Sequence, residues 1–467
     1  MCYCVTLELT PPMVVETCAA DATLGPAITP PLSRNSVSAT SLARLPAEVL
    51  VQIARSLDDH KSLAHLGRAN RRLNNLLTPL IYTKFFTSFG KETLFLRTLT
   101  SQSHLASHVK HLRWIDESDI WDQDKEGYET ETRKEIAASL STLPSLFHKQ
   151  LAIAVQHATA GTLHVSLLAA AMSLTPFLET LTATLTTANS SRIRWNEAIW
   201  IAAPHAFAHL HTIRIKLRRS AGMDLNPLFL LPAVRTLDLT HVDRLKSDPQ
   251  KTIWLPLPAG CSGVTTLLLR ESNVDTDILV PAIRACRRLT TFLFQQHNKW
   301  SPLRKLDMAL LSSALRVHAE SLRDVGVMER VGQEESAGGV QELLGMPALE
   351  RVLLPLCDGE VKGGTVLKLP PRARYFAQTV RGDGMRKAVE GFMALCSRSV
   401  KAVKEGNPLL RGVTLWVVDK EARGSLVAYM ARQAWKKEGL QLDIRVLEKK
   451  SDVGSAVVEW ERYVGET

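Results

Sequence analysis

The sequence predicts an α/β protein: a short all-helical module near the N-terminus, followed by an irregular α/β solenoid. Three observations carry this. Between Leu45 and Tyr82, apolar residues recur at three-to-four spacing, the period of a helix buried on one face. From Val109 onward a second pattern, apolar-x-x-apolar-x-apolar, returns at quasi-regular steps. The chain has 467 residues, too many for one ordinary core, so separate modules are expected.

Residues 1–40 are rich in Thr, Pro, Ala and Ser and show no periodicity, which predicts a disordered tail. The first residues lack a basic start followed by a sustained apolar run, so no secretory signal is expected. Residues 41–86 form the helical module. Pro46 is suited to open a helix, because its missing N–H would be unpaired there. Glu48 falls in the first turn, where the helix dipole favours an anion. Leu45, Val49, Leu50, Ile53 and Leu57 make one stripe. Asp58 and Asp59 break that helix and can cap the next. Leu63, Leu66, Leu73, Leu76 and Leu77 continue the spacing through two more short helices, and Pro79 predicts a fresh start before Leu80, Ile81 and Tyr82.

This segment resembles an F-box of the form common in fungal proteins. The residues that carry the resemblance are Leu45-Pro46, Glu48, Val49-Leu50, Ile53, Leu57, Leu63, Leu66, Ala69, the Asn70-Arg71-Arg72-Leu73 run, Leu76 and Pro79-Leu80-Ile81-Tyr82. It departs from the family at Ala69, Asn70 and Leu73, where valine, cysteine and tryptophan are common. Losing the tryptophan removes apolar area worth on the order of 2–3 kcal/mol if buried.

Residues 87–108 read as a linker helix, and 109–450 as the repeat region. The pattern begins at Val109, Leu210, Val234, Val264, Leu289, Leu322, Leu349 and Leu410, with a weaker copy at Leu178. From 210 to 349 the steps are 24, 30, 25, 33 and 27 residues, room for one strand and one helix per unit. Helix-like stretches such as Thr276–Arg288 and Met308–Ser321 lie between copies. The series resembles a degenerate leucine-rich repeat in which the ladder asparagine is mostly missing. It lapses between Thr365 and Val400. Gly424–Gly439 then reads as a helix with Leu426, Tyr429, Met430 and Trp435 inward, Leu440–Val446 as a closing strand, and 451–467 as a C-terminal tail.

Composition bounds the function. Hydrophobic residues are 45% and charged residues 22%, as in a globular protein. The net charge of +10 is spread along the chain; its densest groups, Lys216-Leu217-Arg218-Arg219 and Arg284 with Arg287-Arg288, lack interleaved aromatics, so nucleic acid is not the expected partner. Seven scattered cysteines without a C-x-x-C pair point to reduced thiols of an intracellular, cytoplasmic or nuclear protein. The weakly polar stretch Leu151–Leu178 is interrupted by Gln156, His157, His164 and Pro176, so no membrane span is expected. Asp122-x-Asp124-x-Glu126-Gly127 resembles the start of a calcium loop, but its eighth and twelfth positions are Glu129 and Arg133, which cannot complete it. The acidic run Asp116 to Glu131 therefore reads as a solvated insertion. His205, His209 and His211, the latter two on one face of a strand, lack an acidic or thiol co-ligand at suitable spacing. No nucleotide-binding, metalloprotease or nucleophile-elbow motif occurs. No catalytic residue, metal or cofactor is expected.

The F-box resemblance implies a non-catalytic substrate receptor of an SCF-type ubiquitin ligase. Leu45, Pro46, Val49, Leu50, Ile53, Leu57, Leu63, Leu66 and Leu73 would face the Skp adaptor, and through it a cullin, although some of them must hold the helices together. If the repeats form a curved solenoid, a protein target would meet the outward strand residues Arg214, Lys216, Asp238, Thr240, Arg270, Gln295, Met328 and Trp416. The excess of cations there implies an acidic or phosphorylated target. The alternative is an interaction scaffold outside any ligase that uses the F-box and the repeats.

Overall fold

The computed structural model describes residues 45–57, 59–87, 92–115, 126–158, 160–185, 207–221, 226–242, 257–296, 306–328, 342–355, 369–380, 404–405, 409–410, 412–417 and 426–446. The tails expected at 1–40 and 451–467 lie outside these residues.

Three helices open the fold: α1 (Ala47–Arg55), α2 (His60–Arg68) and α3 (Arg71–Thr83). Pro46 sits one position outside α1, as its N-cap, with φ −53°. Asp59 caps α2 by accepting the Ser62 amide at 2.7 Å. Asn70 caps α3 by accepting the Leu73 amide at 2.8 Å. Each such cap contributes about 1 kcal/mol. The helices close on a small core of Leu50, Ala54, Leu63, Leu73 and Leu77. Pro79 does not end α3, contrary to the sequence expectation. Continuing the helix places Leu80 and Ile81 against the small core and carries Tyr82 to the large one. That burial offsets the single backbone hydrogen bond the proline removes.

Among the described residues, the remainder is built on a parallel sheet of twelve strands in sequence order. These are β1 (Lys84–Phe86), β2 (His111–Ile115), β3 (Thr180–Leu185), β4 (Thr212–Ala221), β5 (Thr236–Val242), β6 (Thr266–Ser272), β7 (Thr291–Gln296), β8 (Asp324–Met328), β9 (Arg351–Pro355), β10 (Tyr375–Val380), β11 (Gly412–Val417) and β12 (Gln441–Val446). The fourth position of each apolar motif aligns across the strands. Leu112, Leu181, Ile213, Leu237, Leu267, Phe292, Val325 and Val352 are register partners in turn, and all are buried. The period thus fixes the register, because a slip by one residue would turn this whole column out of the core. Helices Thr276–Ala285 and Met308–Arg316 fill two of the crossovers, a little shorter than the sequence suggests.

Several expected boundaries move. The sheet begins at Lys84, within the segment 41–86, since β1 pairs with β2. The segment expected as a linker contains α4 (Glu92–Ser101) and α5 (Ser103–Ala106), whose Phe95, Leu96, Leu99 and Leu105 enter the main core. Phe95 stacks on Phe85 with ring centroids 3.6 Å apart. From Glu126 the acidic run is part of α6 (Glu126–Ser141), which packs with α7 (Leu146–Gln156), and α7 in turn packs with α8 (Ala160–Leu174). β10 lies where the pattern lapses, with Ala373 and Phe376 buried and Gln378 in place of an apolar residue. On helix Leu426–Lys437, Ala431 and Trp435 face the core, whereas Tyr429 and Met430 face out. Among the described residues no helix is long and apolar enough to cross a membrane.

Candidate docking surfaces

The first surface is the outside of the three-helix module. Of the nine residues expected to face an adaptor, Leu50, Leu63 and Leu73 are buried and form the module's own core. They are corrected from contact residues to core residues. Each is committed there because three short helices have no other apolar mass to close on. Leu45, Leu57 and Leu66 are half-buried against that core. Pro46 and Val49 are exposed and Ile53 is half-buried, so the stripe left to solvent runs along the first two turns of α1. Arg72 fastens the entry of α1 by donating from Nη2 to the Leu45 carbonyl at 3.0 Å.

The second surface is the sheet face opposite the motif columns. Thr180, Thr212, Thr236, Thr266 and Thr291 start five consecutive strands in register along it. Beside them, Arg113, Thr182, Arg214 and Asp238 are register partners in the next row. Arg113, Arg214 and Lys216 are exposed. Asp238 accepts from Arg270, Nε to Oδ1 at 2.7 Å and Nη2 to Oδ2 at 3.3 Å, and lies 3.9 Å from Arg214 Nε. One carboxylate therefore answers two guanidinium groups, and the row keeps an excess of positive charge. Thr240 is half-buried in register with Lys216 and Arg270. The structure thus gathers Arg214, Lys216, Asp238, Thr240 and Arg270 on one face of β4–β6.

Gln295 and Met328 do not join them as accessible groups. On β7–β9 both faces are covered: Leu293, Met328 and Leu353 are as buried as the motif positions, and Gln295 is buried with them. This corrects their expected exposure. A strand buried on both sides carries apolar residues at successive positions, as β7 does at Phe292-Leu293-Phe294. At the boundary of the covered region, Asp324 accepts from Thr291 Oγ1 at 3.0 Å and from Arg351 Nε at 2.5 Å, all buried. Trp416 stands on β11 in register with Thr379 and Arg445, and its side chain lies outside the described residues.

Sequence reasoning missed a feature at the ends of β5 and β6. His241 and Glu271 adopt φ of 62° and 44°. Left-handed backbone at a residue with a Cβ costs roughly 1–2 kcal/mol. His241 Nδ1 lies 2.7 Å from the Leu217 carbonyl and Nε2 lies 2.5 Å from Glu271 Oε2. The hydrogen bond to Glu271 raises the imidazole above its ordinary value, against the opposing pull of burial. The sequence did carry a signal: alternation from Leu239 and Leu269 would point His241 and Glu271 into the core, and polar residues at inward parity mark a bulge.

Other candidates dissolve. His209 and His211 precede β4 rather than share a strand face; His209 lies against the Phe177 ring at 5.1 Å and His211 is 3.9 Å from Glu179. Glu179 also accepts from Lys110 Nζ at 2.7 Å, which holds its carboxyl below the usual range. His205, Asp122 and Asp124 lie outside the described residues. Burial pushes the Cys286 thiol up to about 12, so it is not a thiolate nucleophile at neutral pH. Among the described residues, no three His, Cys, Asp or Glu side chains gather for a metal ion. No family model matches the chain, and no curated protein matches it.

Proposed function

We propose that the chain is the substrate-recognition subunit of an SCF-type ubiquitin ligase, with its three N-terminal helices as an F-box and its sheet as an irregular leucine-rich-repeat-like solenoid. The observation that carries this reading is that the helical module closes on its own small core yet leaves Pro46, Val49 and Ile53 unburied on one stripe of α1. An amphipathic helix with a spare apolar stripe is the element that fills a partner's groove. The Skp adaptor, and a cullin behind it, would dock there. The open face of β2–β6 would hold an acidic segment of a protein target. Such a receptor performs no bond chemistry; it raises the effective concentration of a target lysine beside an enzyme held elsewhere in the ligase.

Affinity capture of the full chain tests this. Adaptor and cullin should co-purify with it. Val49→Glu combined with Ile53→Glu should abolish that capture while leaving thermal unfolding unchanged, because neither side chain belongs to the small core. Capture by the double variant at the unaltered level would refute docking through α1. Adaptor without cullin would favour the scaffold alternative.

A further inference from the structure

His241 bridges three neighbouring strands at one end of the open sheet face. It reaches Leu217 on β4 with Nδ1 and Glu271 on β6 with Nε2. A backbone carbonyl and a carboxylate both accept hydrogen bonds, so the ring satisfies both only when both nitrogens carry protons. Register shifts flank the bridge: β4 and β5 lose step between Lys216 and Ala221, and β5's neighbour β6 slips against β7 between Leu269 and Ser272. Beyond it side-chain bonds join the ladder, with the Val242 amide donating to Ser272 Oγ at 3.1 Å and Ser272 Oγ donating to the Arg270 carbonyl at 2.7 Å, while the Asn273 amide donates to the Val242 carbonyl at 2.9 Å. The bridge thus spans the place where the strand register slips.

We propose that His241 is a protonation-dependent clamp that holds β4, β5 and β6 together, and that it gives up one of its two bonds when the ring loses a proton. The neutral ring keeps one proton. The nitrogen that loses it turns a lone pair toward an acceptor, the Leu217 carbonyl or the Glu271 carboxylate, and that contact becomes repulsive. Among the described residues, the charged groups that bear on the ring are Glu271 from β6, which favours its protonation, and Lys216 from β4, which opposes it. The sign follows from the raised folded value: the stabilisation is complete below the unfolded imidazole value of about 6.5 and is lost as pH rises through the folded value. The clamp does not depend on the ligase reading.

Nitrogen-detected NMR of histidine side chains in the full-length protein tests it, with His241→Gln identifying the resonance. His241 should carry protons on both nitrogens at pH 6.5 and titrate above the ordinary imidazole range. In Glu271→Gln, which keeps the size of the side chain, the midpoint should fall by about one pH unit, a tenfold weaker hold on the proton. Hydrogen exchange supplies a second readout. The Val242 and Asn273 amides, bonded to Ser272 Oγ and the Val242 carbonyl, should be more protected in the wild type below the transition than above it, with a smaller difference in Glu271→Gln. A singly protonated ring at pH 6.5, a midpoint indifferent to Glu271→Gln, or protection that ignores pH would each overturn the proposal.

Discussion

One sheet presents two different outer faces. Over β2–β6 the residues opposite the motif columns include Thr182, Arg214, Lys216, Asp238 and Arg270 with one leucine, Leu268, and all are half-buried or exposed. Over β7–β9 the equivalent positions hold Leu293, Gly326, Met328 and Leu353, and all are covered. The ladder is parallel across both regions, and from the strand starts to Leu239, Leu269 and Phe294 it keeps one register. Over those rows backbone geometry therefore does not decide which part of the face meets solvent. The outward side chains decide it, since an apolar row left in water would forfeit about 25 cal/mol per Å². In the open half polar residues keep the face available to a partner; in the closed half the same surface is spent on stability.

This contrast predicts unequal responses to similar substitutions. The largest effect is expected at the buried ion pair of the closed half. Asp324→Ala leaves Arg351 as a buried charge without its carboxylate and should cost about 3–5 kcal/mol in urea unfolding. Leu353→Ala opens a cavity in the closed half and should cost about 2–4 kcal/mol. Asp238→Ala in the open half removes a comparable pairing, but from side chains that reach water, and should cost only about 1–2 kcal/mol. Equal costs for Asp324→Ala and Asp238→Ala would erase the distinction. The smallest effect belongs to the solvated rim. Glu179→Gln should change stability by less than about 0.5 kcal/mol near neutral pH. Its carboxyl is held low, so the wild-type advantage should be present above the unfolded carboxylate value and vanish as pH falls through the folded one.

The repeating motif made most of the sheet legible, because every copy puts three apolar residues on the core side and one register satisfies them all. β10 escaped because its last motif position is Gln378. β1 escaped because three residues are too few to show a period. Asn70 read as a departure from the family, yet the structure uses it as a helix cap, a role its amide side chain suits better than a thiol would. Within the helical module the stripe was legible, but the division between inner and outer leucines was not. Leu50 and Val49 are neighbours in sequence and project about 100° apart around α1; which of the two directions meets the small core is a property of packing. The exposure of Gln295 and Met328 was misjudged by extending the alternation of Thr236–Val242 to strands that do not alternate. Phe292-Leu293-Phe294 and Val352-Leu353-Leu354 already spell strands buried on both faces.

Methionine oxidation in the folded full chain tests the two-faced sheet most directly. Met430 is 59% exposed on helix Leu426–Lys437, while Met328 is 2% exposed on the closed half. Under dilute hydrogen peroxide, peptide mass spectrometry should find Met328 converted at least about tenfold more slowly than Met430, because sulfoxidation follows access to the sulfur. Similar rates at the two sulfurs would mean that the face over β7–β9 is open, and the contrast between the two halves would not hold.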